Sequence, residues 1–441
     1  MRKFLSLFVP FLTLSIIHVG FAQEKPKKAL TKAEIISLVD SLAINLTRYY
    51  IYPDVALLMT KKLNAQLKNG TYEAISEPTK LAKTIESDIR NVHYDSHLHV
   101  NFEPDLIAPK LMDNEERNNA IKEQLTAEVD NNFNLKKVEV LPANVGYLLL
   151  NGFTGHTEEA RPILNAALTF LSGTKALIID LRFNGGGSTA NRLESYFFKE
   201  KTHLSDHINR FAKDTISFYA DATTTNGPVL LMPIYILTSK NTFSAAEAFS
   251  ASMQSLKRAV IIGDTTGGGS HQTGFFDLKN GFNARIPFAR PVSTATFKDW
   301  EGKGVIPDIP VRAANALQKA QEVIYKDLIV KAKSDKEKMR INWAINALMA
   351  GQYNPNLNTS LYSKYAGTYV GGLKFYVENN RLMCKNPERG GTDVFTLTAA
   401  HDDVFLLDEN VQIQFVKDDK NNYSSLKMLW KDGHVTKKAR E

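Results

Sequence analysis

Two segments of the sequence place hydroxyl groups or glycines where a strand or helix is predicted to end or begin, and both positions suit nucleophilic catalysis. In SKNTFSAAEAF (239–249), Ser244 directly precedes a helix-forming run, whose free N–H groups and positive end would stabilise a developing anion. In DLRFNGGGS (180–188), three glycines follow an apolar strand and present N–H groups that an oxyanion could bind. Each pattern also fits an ordinary structure, a helix cap or a strand-to-helix turn.

A nucleophilic serine needs a base, and the best candidate lies in HYDSHLHV (93–100). His97 and His99 would share one face of a strand here, opposite Ser96. The distance in sequence from Ser244 is no obstacle, because catalytic partners commonly meet only in the folded chain. Neighbouring histidines also suggest a metal site, but no HExxH motif or cluster of carboxylates and cysteines accompanies them. We therefore expect no metal and no cofactor.

Several other functional motifs are absent around these segments. Ser244 does not lie in a G-x-S-x-G elbow, which argues against an α/β-hydrolase. The glycines at 185–187 are followed by neither a Walker lysine nor the dinucleotide spacing, so phosphate binding is disfavoured. The chain carries a net charge of +7, but its charges alternate in sign and form no long basic tract. We expect no nucleic acid partner.

The elements that would position these groups alternate between strands and helices in the middle of the chain. Apolar strands are predicted at 176–183, 233–239 and 259–264. Helices are predicted from Glu158 to Leu171 and from Ser244 to about Leu256. This alternation is typical of a layered α/β core.

The pattern of apolar and polar residues differs on both sides of this core, and the difference predicts further domains. Helical periodicity dominates before the core, while short strand-like pieces separated by Gly, Asn and Asp turns follow it. The predicted order is a signal peptide at 1–22, a helical domain at 23–100, a polar connector at 101–136, the core at 137–350 and a small antiparallel β domain at 356–441.

The first residues have the pattern of an export signal. Arg2 and Lys3 precede an apolar stretch from Phe4 to Ile17, which is shorter than a typical transmembrane helix. We therefore expect an exported protein, periplasmic or extracellular, without a stable membrane anchor after signal removal. Cys384 is the single cysteine, so the mature chain must be stable in an oxidising compartment without an internal disulfide.

Five motifs, in this order and at these spacings, resemble those of one family of serine peptidases. The motifs are DSHLHV (95–100), DLRFNGGG (180–187), TSKNTFSAAE (238–247), GDTTGGGSH (263–271) and WEGKGVIPDI (300–309). The family contains the C-terminal processing peptidases, the tricorn core protease and interphotoreceptor retinoid-binding protein, and the span from Thr31 to Met349 is similar to its retinoid-binding-protein-like branch. The resemblance implies a ClpP/crotonase-like ββα core without a PDZ domain, and a peptide or protein as substrate.

The resemblance also implies catalytic roles. Ser244 matches the nucleophile of the family, and Gly269 stands where the processing peptidases have a lysine base, which rules out a Ser-Lys dyad at that position. A tricorn-like arrangement fits instead, with His97 as general base, Ser96 beside it and Glu301 as the acidic member.

The remaining site residues follow from the same motifs. Four backbone N–H groups are expected to bind the oxyanion, those of Gly185, Gly186, Gly187 and Ala245. His271 is an alternative base or a residue near the substrate. Gly268 and Gly269 belong to a glycine run that is expected to form a wall or a strand edge for an extended peptide.

The leading functional hypothesis is an exported serine endopeptidase that forms an acyl-enzyme on Ser244. Two alternatives use the same fold. One is a non-enzymatic module that binds an apolar ligand, as the resemblance to retinoid-binding relatives allows. The other is an esterase that uses the same site.

Overall fold

The computed structural model describes residues 30–104, 114–155, 157–187, 193–294, 298–352, 357–387 and 393–441. The predicted signal peptide at 1–22 lies outside these described residues. Within them, no helix is both long enough and apolar enough to cross a membrane.

The N-terminal region consists of three helices that begin at local signals in the sequence. They are α1 (Lys32–Tyr49), α2 (Pro53–Lys68) and α3 (Pro78–Val92). Thr31 and Glu34 form a capping box at the start of α1, while α2 and α3 each begin with a proline. Apolar residues of these helices, such as Leu42 and Ile85, share one core with Leu278 and Ile286 of a neighbouring sheet.

That neighbouring sheet is antiparallel and joins distant parts of the chain. Its strands are β1 (His99–Phe102), β5 (Thr202–Asn209), β6 (Asp214–Ala220), β9 (Gln272–Lys279) and β10 (Phe282–Ser293). Strand β10 pairs with β1, β5 and β9. The pairing of β10 with both β1 and β9 brings the segment before His99 close to the segment before Gln272.

A second sheet of six strands forms the α/β core, in the order β11-β8-β7-β4-β3-β2. Its strands are β2 (Leu135–Leu141), β3 (Val145–Leu150), β4 (Ala176–Asp180), β7 (Ile234–Thr238), β8 (Ala259–Gly263) and β11 (Ile309–Pro310). All pairs are parallel except β2 with β3. Because β4 and β7 are buried along their whole length, they read as continuous apolar runs.

Helices cover both faces of this sheet. Helices α5 (Thr157–Leu171) and α6 (Ala245–Ser255) share a core with Leu177 and Ile179 on one face. Helices α7 (Ala316–Lys331) and α8 (Asp335–Ala350) pack on the opposite face, against a core that contains Ile178. The alternation of these strand residues between the two cores follows the two-residue period of a strand.

The C-terminal region contains two antiparallel sheets and a short helix, α9 (Tyr362–Tyr365). One sheet contains β12 (Gly367–Tyr369), β13 (Leu373–Glu378), β14 (Arg381–Lys385) and β15 (Val394–Thr396). The other contains β16 (Thr398–His401), β17 (Val404–Leu406), β18 (Val411–Lys417), β19 (Tyr423–Trp430) and β20 (Val435–Ala439). Gln412 of β18 donates a buried hydrogen bond to the Trp343 carbonyl, which anchors this region on α8.

These elements confirm the predicted fold class, a mixed α/β core preceded by helices and followed by antiparallel strands. The helix α4 (Asn114–Asp130) has no buried residue, as expected of a solvated connector. Two details differ from the predictions. The strand predicted at 176–183 ends at Asp180, and Ser244 precedes α6 rather than opening it. The exact domain boundaries stay a prediction.

Candidate active site

Ser244 occupies a strained position between β7 and α6. Its backbone has φ 52° and ψ −118°, a region that a residue with a side chain rarely adopts. Such strain persists only where surrounding contacts enforce it, and it is common at functional sites. Two hydrogen bonds fix the neighbourhood: Phe243 N donates to Asn184 O at 3.0 Å, and Ser244 N donates to Glu247 Oε2 at 2.9 Å.

Gly186 approaches Ser244 so closely that no other residue type fits. A Cβ atom on Gly186 would lie 2.8 Å from the Ser244 Cβ and 3.0 Å from the Ala245 nitrogen, and the backbone φ of 103° also favours glycine. The Gly186 N–H donates to Asn184 Oδ1 at 2.9 Å. This N–H is therefore occupied, which corrects the prediction that it would bind an oxyanion.

Two other predicted donors keep their N–H groups available. Gly187 and Ala245 line the same cavity as Ser244, and no described residue accepts a hydrogen bond from either N–H. The Ala245 N–H lies in the first turn of α6, where a helix leaves its donors unpaired. Gly185 is exposed and does not line this cavity, although it belongs to the same turn.

His97 reaches the site from the loop between α3 and β1. Its ring stacks on Phe243 with 4.7 Å between ring centroids, and it lines a cavity of about 430 Å³ together with Ser244. The described residues include no hydrogen-bond partner for the buried Nδ1 atom of His97, and no hydrogen bond joins its ring to the Ser244 hydroxyl. Burial lowers the pKa of His97, and the charges of Glu301 and Asp95 oppose this effect only in part.

Gly269 leaves the space that the His97 ring needs. A Cβ atom on Gly269 would lie 2.5 Å from His97 Cε1 and 2.2 Å from Phe243 Cζ. A lysine at position 269 would therefore compete with the imidazole for the same volume. Glycine in place of lysine at position 269 is therefore what makes room for the imidazole ring of His97.

Glu301 lies behind His97 and connects two loops. Its Oε1 accepts hydrogen bonds from the Ser96 hydroxyl at 2.9 Å and from the Ser96 N–H at 3.2 Å. Its Oε2 accepts from the Ser270 N–H at 2.6 Å and from the His271 N–H at 3.3 Å. These hydrogen bonds join Ser96 to Glu301 and fix the loop that carries His97.

His271 also lines the cavity, but both of its ring nitrogens are engaged. Nδ1 lies 2.8 Å from Asp95 Oδ2, and Nε2 lies 3.4 Å from the Tyr52 hydroxyl. Burial alone would lower the pKa of His271, yet the hydrogen bond and charge of Asp95 raise it above its ordinary value. Asp95 also accepts from the His97 N–H at 3.0 Å, so it holds both histidines.

Glu247 was not singled out by the sequence, although it ends the SAAE motif. Its buried carboxylate accepts hydrogen bonds from Ser244 N, Gly269 N, Gly268 N and the Thr266 hydroxyl. Burial raises the pKa of Glu247, and these hydrogen bonds oppose that effect. The carboxylate therefore ties the nucleophile to the glycine loop.

The same bonds correct the prediction for the glycine loop. The N–H groups of Gly268 and Gly269 are taken by Glu247, and Gly267 N donates to Thr242 O at 2.9 Å. These donors are not free to pair with a substrate strand. The loop instead supports His97 and Ser244.

Asp95, His97 and Glu301 place ligand atoms within 4.8 Å of one another, a spacing that could suit a metal ion. Protein groups already donate hydrogen bonds to both carboxylates. The Tyr50 hydroxyl donates to Asp95, and the Ser96 hydroxyl donates to Glu301. These bonds favour a hydrogen-bonded acid–base cluster over a metal centre.

Comparisons with known proteins identify the family of this chain. The model of peptidase family S41 matches residues 144–311, and that of the N-terminal domain of this family in eukaryotic IRBP matches residues 27–142. Together these two matches define the class of protein, one that contains both domains of a single peptidase family. The chain belongs to peptidase family S41.

Curated relatives include two chloroplastic enzymes of Arabidopsis thaliana. Carboxyl-terminal-processing peptidase 2 is 28% identical over 173 residues, which cover 38% of this chain and 32% of the relative. Carboxyl-terminal-processing peptidase 1 is 25% identical over 192 residues, which cover 43% and 38%. The chain spans about a third of the length of these relatives. The solved structure of the photosystem II D1 C-terminal processing protease aligns with a TM-score of 0.40 at 16% identity, over 64% of this chain and 94% of that one.

Proposed function

We propose that this protein is an exported serine endopeptidase that hydrolyses peptide bonds through an acyl-enzyme on Ser244, with His97 as general base. The observation that carries the proposal is the shared cavity, in which a strained serine at a helix start lies with a histidine whose pKa burial has lowered. Membership of peptidase family S41 and the names of the curated relatives support peptide bonds as the substrate.

The reaction begins when a substrate enters the cavity and the Ser244 hydroxyl attacks the carbonyl carbon. The neutral His97 ring takes the hydroxyl proton, after a small closure that brings the ring into hydrogen-bonding distance. The N–H groups of Ala245 and Gly187 bind the oxygen of the tetrahedral intermediate. His97 then protonates the leaving amine, and a water activated by the same ring releases the acyl group from Ser244.

His97 suits the role of base better than His271 for electrostatic reasons. A base must be neutral at the working pH, and burial lowers the pKa of His97 while Asp95 raises that of His271. The Asp95–His271 pair is also hydrogen-bonded already. We assign His271 a positioning role, because it orders Asp95 and lines the substrate cavity.

Covalent labelling tests the proposal. A fluorophosphonate probe is expected to label Ser244, as mapped by mass spectrometry, and His97→Ala is expected to remove the labelling. His99→Ala is the matched control, because His99 is in the same segment but pairs with Glu86 instead of lining the cavity. Labelling that persists in His97→Ala at the wild-type rate would refute the role of His97.

The two alternative functions predict different results. A binding module would take up an apolar fluorophore without any labelling of Ser244. An esterase would be labelled but would cleave simple esters and no peptide. Export is tested separately, since the mature protein from cell fractions is expected to begin at or near Gln23.

A further inference from the structure

The active-site cavity contains a buried acidic side chain that the proposed mechanism does not use. Glu194 is 2% exposed, and it is one of the residues that line the cavity together with Ser244. Among the described residues, none offers a hydrogen-bond donor to its Oε2 atom. A buried carboxyl oxygen without a partner is costly, so its retention beside a nucleophile points to a ligand group that completes it.

The cavity has a shape that suits a long side chain. Ser244, Ala248 and Ser252 follow one another at intervals of four residues and line the cavity along one face of α6. From the first to the last, this face extends for about 12 Å along the helix axis. The small side chains leave room for a substrate side chain that enters beside the nucleophile.

One part of the cavity wall is apolar, and the described lining residues supply no lysine or arginine. Leu204, Phe218, Phe288 and Pro291 line it from the antiparallel sheet. Among the described lining residues, Glu194 alone is acidic and none is lysine or arginine. The other titratable groups that face the cavity are the histidines at positions 97, 207 and 271.

We propose that Glu194 determines specificity by receiving the lysine or arginine side chain of the substrate residue whose carbonyl group Ser244 attacks. This proposal rests on the proposed peptidase function. The apolar residues from the antiparallel sheet pack against the aliphatic stem of such a side chain, while its cationic end supplies the donor that Glu194 lacks. The pocket begins at Ser244, so the residue next to the cleaved bond is the one that fills it.

Binding of the cation is expected to change the protonation of Glu194. Burial raises the pKa of Glu194 well above its ordinary value, which favours the protonated form when the pocket is empty. Burial lowers the pKa of His207, which keeps this neighbour neutral and removes a competing cation. A bound ammonium or guanidinium group stabilises the carboxylate, and the carboxyl proton is released to solvent.

Calorimetry on Ser244→Ala tests this without catalysis. We compare two peptides that differ only in lysine versus norleucine, its uncharged isostere. The lysine peptide is expected to bind about tenfold more tightly or better, with net release of protons as measured in buffers of different ionisation enthalpy. Addition of Glu194→Gln is expected to abolish both differences, and Glu194→Leu serves as a second variant should the first fail to fold.

Hydrolysis separates this proposal from the proposed function. The ratio of kcat/KM for the lysine and norleucine substrates is expected to fall at least about tenfold in Glu194→Gln. Equal cleavage of both substrates by a wild-type protein that is labelled at Ser244 would overturn the role of Glu194 and leave the peptidase function standing. Absence of labelling and cleavage would refute the function, while the calorimetric comparison would still decide whether Glu194 binds a cation.

Discussion

Two buried glutamates belong to the active-site region, and their surroundings are opposite. Glu247 accepts hydrogen bonds from the backbone of Ser244 and from the glycine loop, so protein donors surround its carboxylate. Glu194 has a buried oxygen that no described residue pairs with, and the residue lines the same cavity as Ser244. A saturated carboxylate holds a structure together, whereas an unsaturated one at a cavity wall costs stability and is available to a ligand.

Replacing each glutamate by glutamine tests this difference, and one of the two variants is expected to show the largest effect of all. In Glu247→Gln, the amide cannot accept from all the donors that surround the carboxylate, so we expect a loss of about 2–4 kcal/mol in the free energy of unfolding. Glu194→Gln is expected to leave it unchanged or raise it, because the amide is neutral without having to take up a proton on folding. Urea unfolding measures both. Similar losses for the two variants would contradict the distinction.

Two neighbouring glycines test whether close backbone packing against Ser244 is needed for catalysis. In Gly186→Ala the added methyl group meets Ser244 and Ala245 and requires strained backbone, so we expect kcat/KM to fall about 100-fold. Gly185 has open space around it, and Gly185→Ala is the control. We expect its peptide hydrolysis to stay within about threefold of the wild type, since surface changes usually cost little. Equal losses would mean that the close approach to Ser244 is not essential.

The pH dependence of catalysis tests the acid–base cluster. Catalysis requires neutral His97, so kcat/KM is expected to be retained above the lowered pKa of this residue and lost as the pH falls through it. The negative charge of Glu301 raises the pKa of His97. In Glu301→Gln the acidic limb is therefore expected to move to lower pH, together with a lower plateau from disturbed Ser96 contacts. A limb that stays in place would show that Glu301 does not act on His97 electrostatically.

The smallest expected effect is the dependence of stability on pH at Glu194. Its pKa is raised in the folded state, so it contributes stability that is present below the unfolded pKa and lost as the pH rises toward the folded value. Glu194→Gln is expected to gain stability relative to the wild type as the pH rises above the ordinary pKa of a glutamate, with a slope of at most about 1.4 kcal/mol per pH unit. Urea midpoints across this range provide the measurement. Parallel curves would indicate a carboxyl group that is already paired.

Much of the architecture could be predicted from local patterns. Continuous apolar runs predict the buried strands β4 and β7. Spacings of two, three and four residues predict the helix α1 and the short C-terminal strands. The motif that contains Ser244 could be found because a predicted helix start marks it, and the segment that contains His97 could be found because histidines cluster there. Asp95 and Phe243 lie within the quoted segments, yet nothing in their spacing indicates that one orders two histidines or that the other stacks on an imidazole.

The sequence by itself therefore determined the type and order of the elements and the residue types at the candidate site, because these depend on neighbours along the chain. Only the tertiary structure decided which polar groups are free. The N–H of Gly186 is occupied, the carboxylate of Glu247 is saturated and that of Glu194 is not. Hydrogen-bond partners come from segments far apart in sequence, and the folded arrangement sets both their identity and their number.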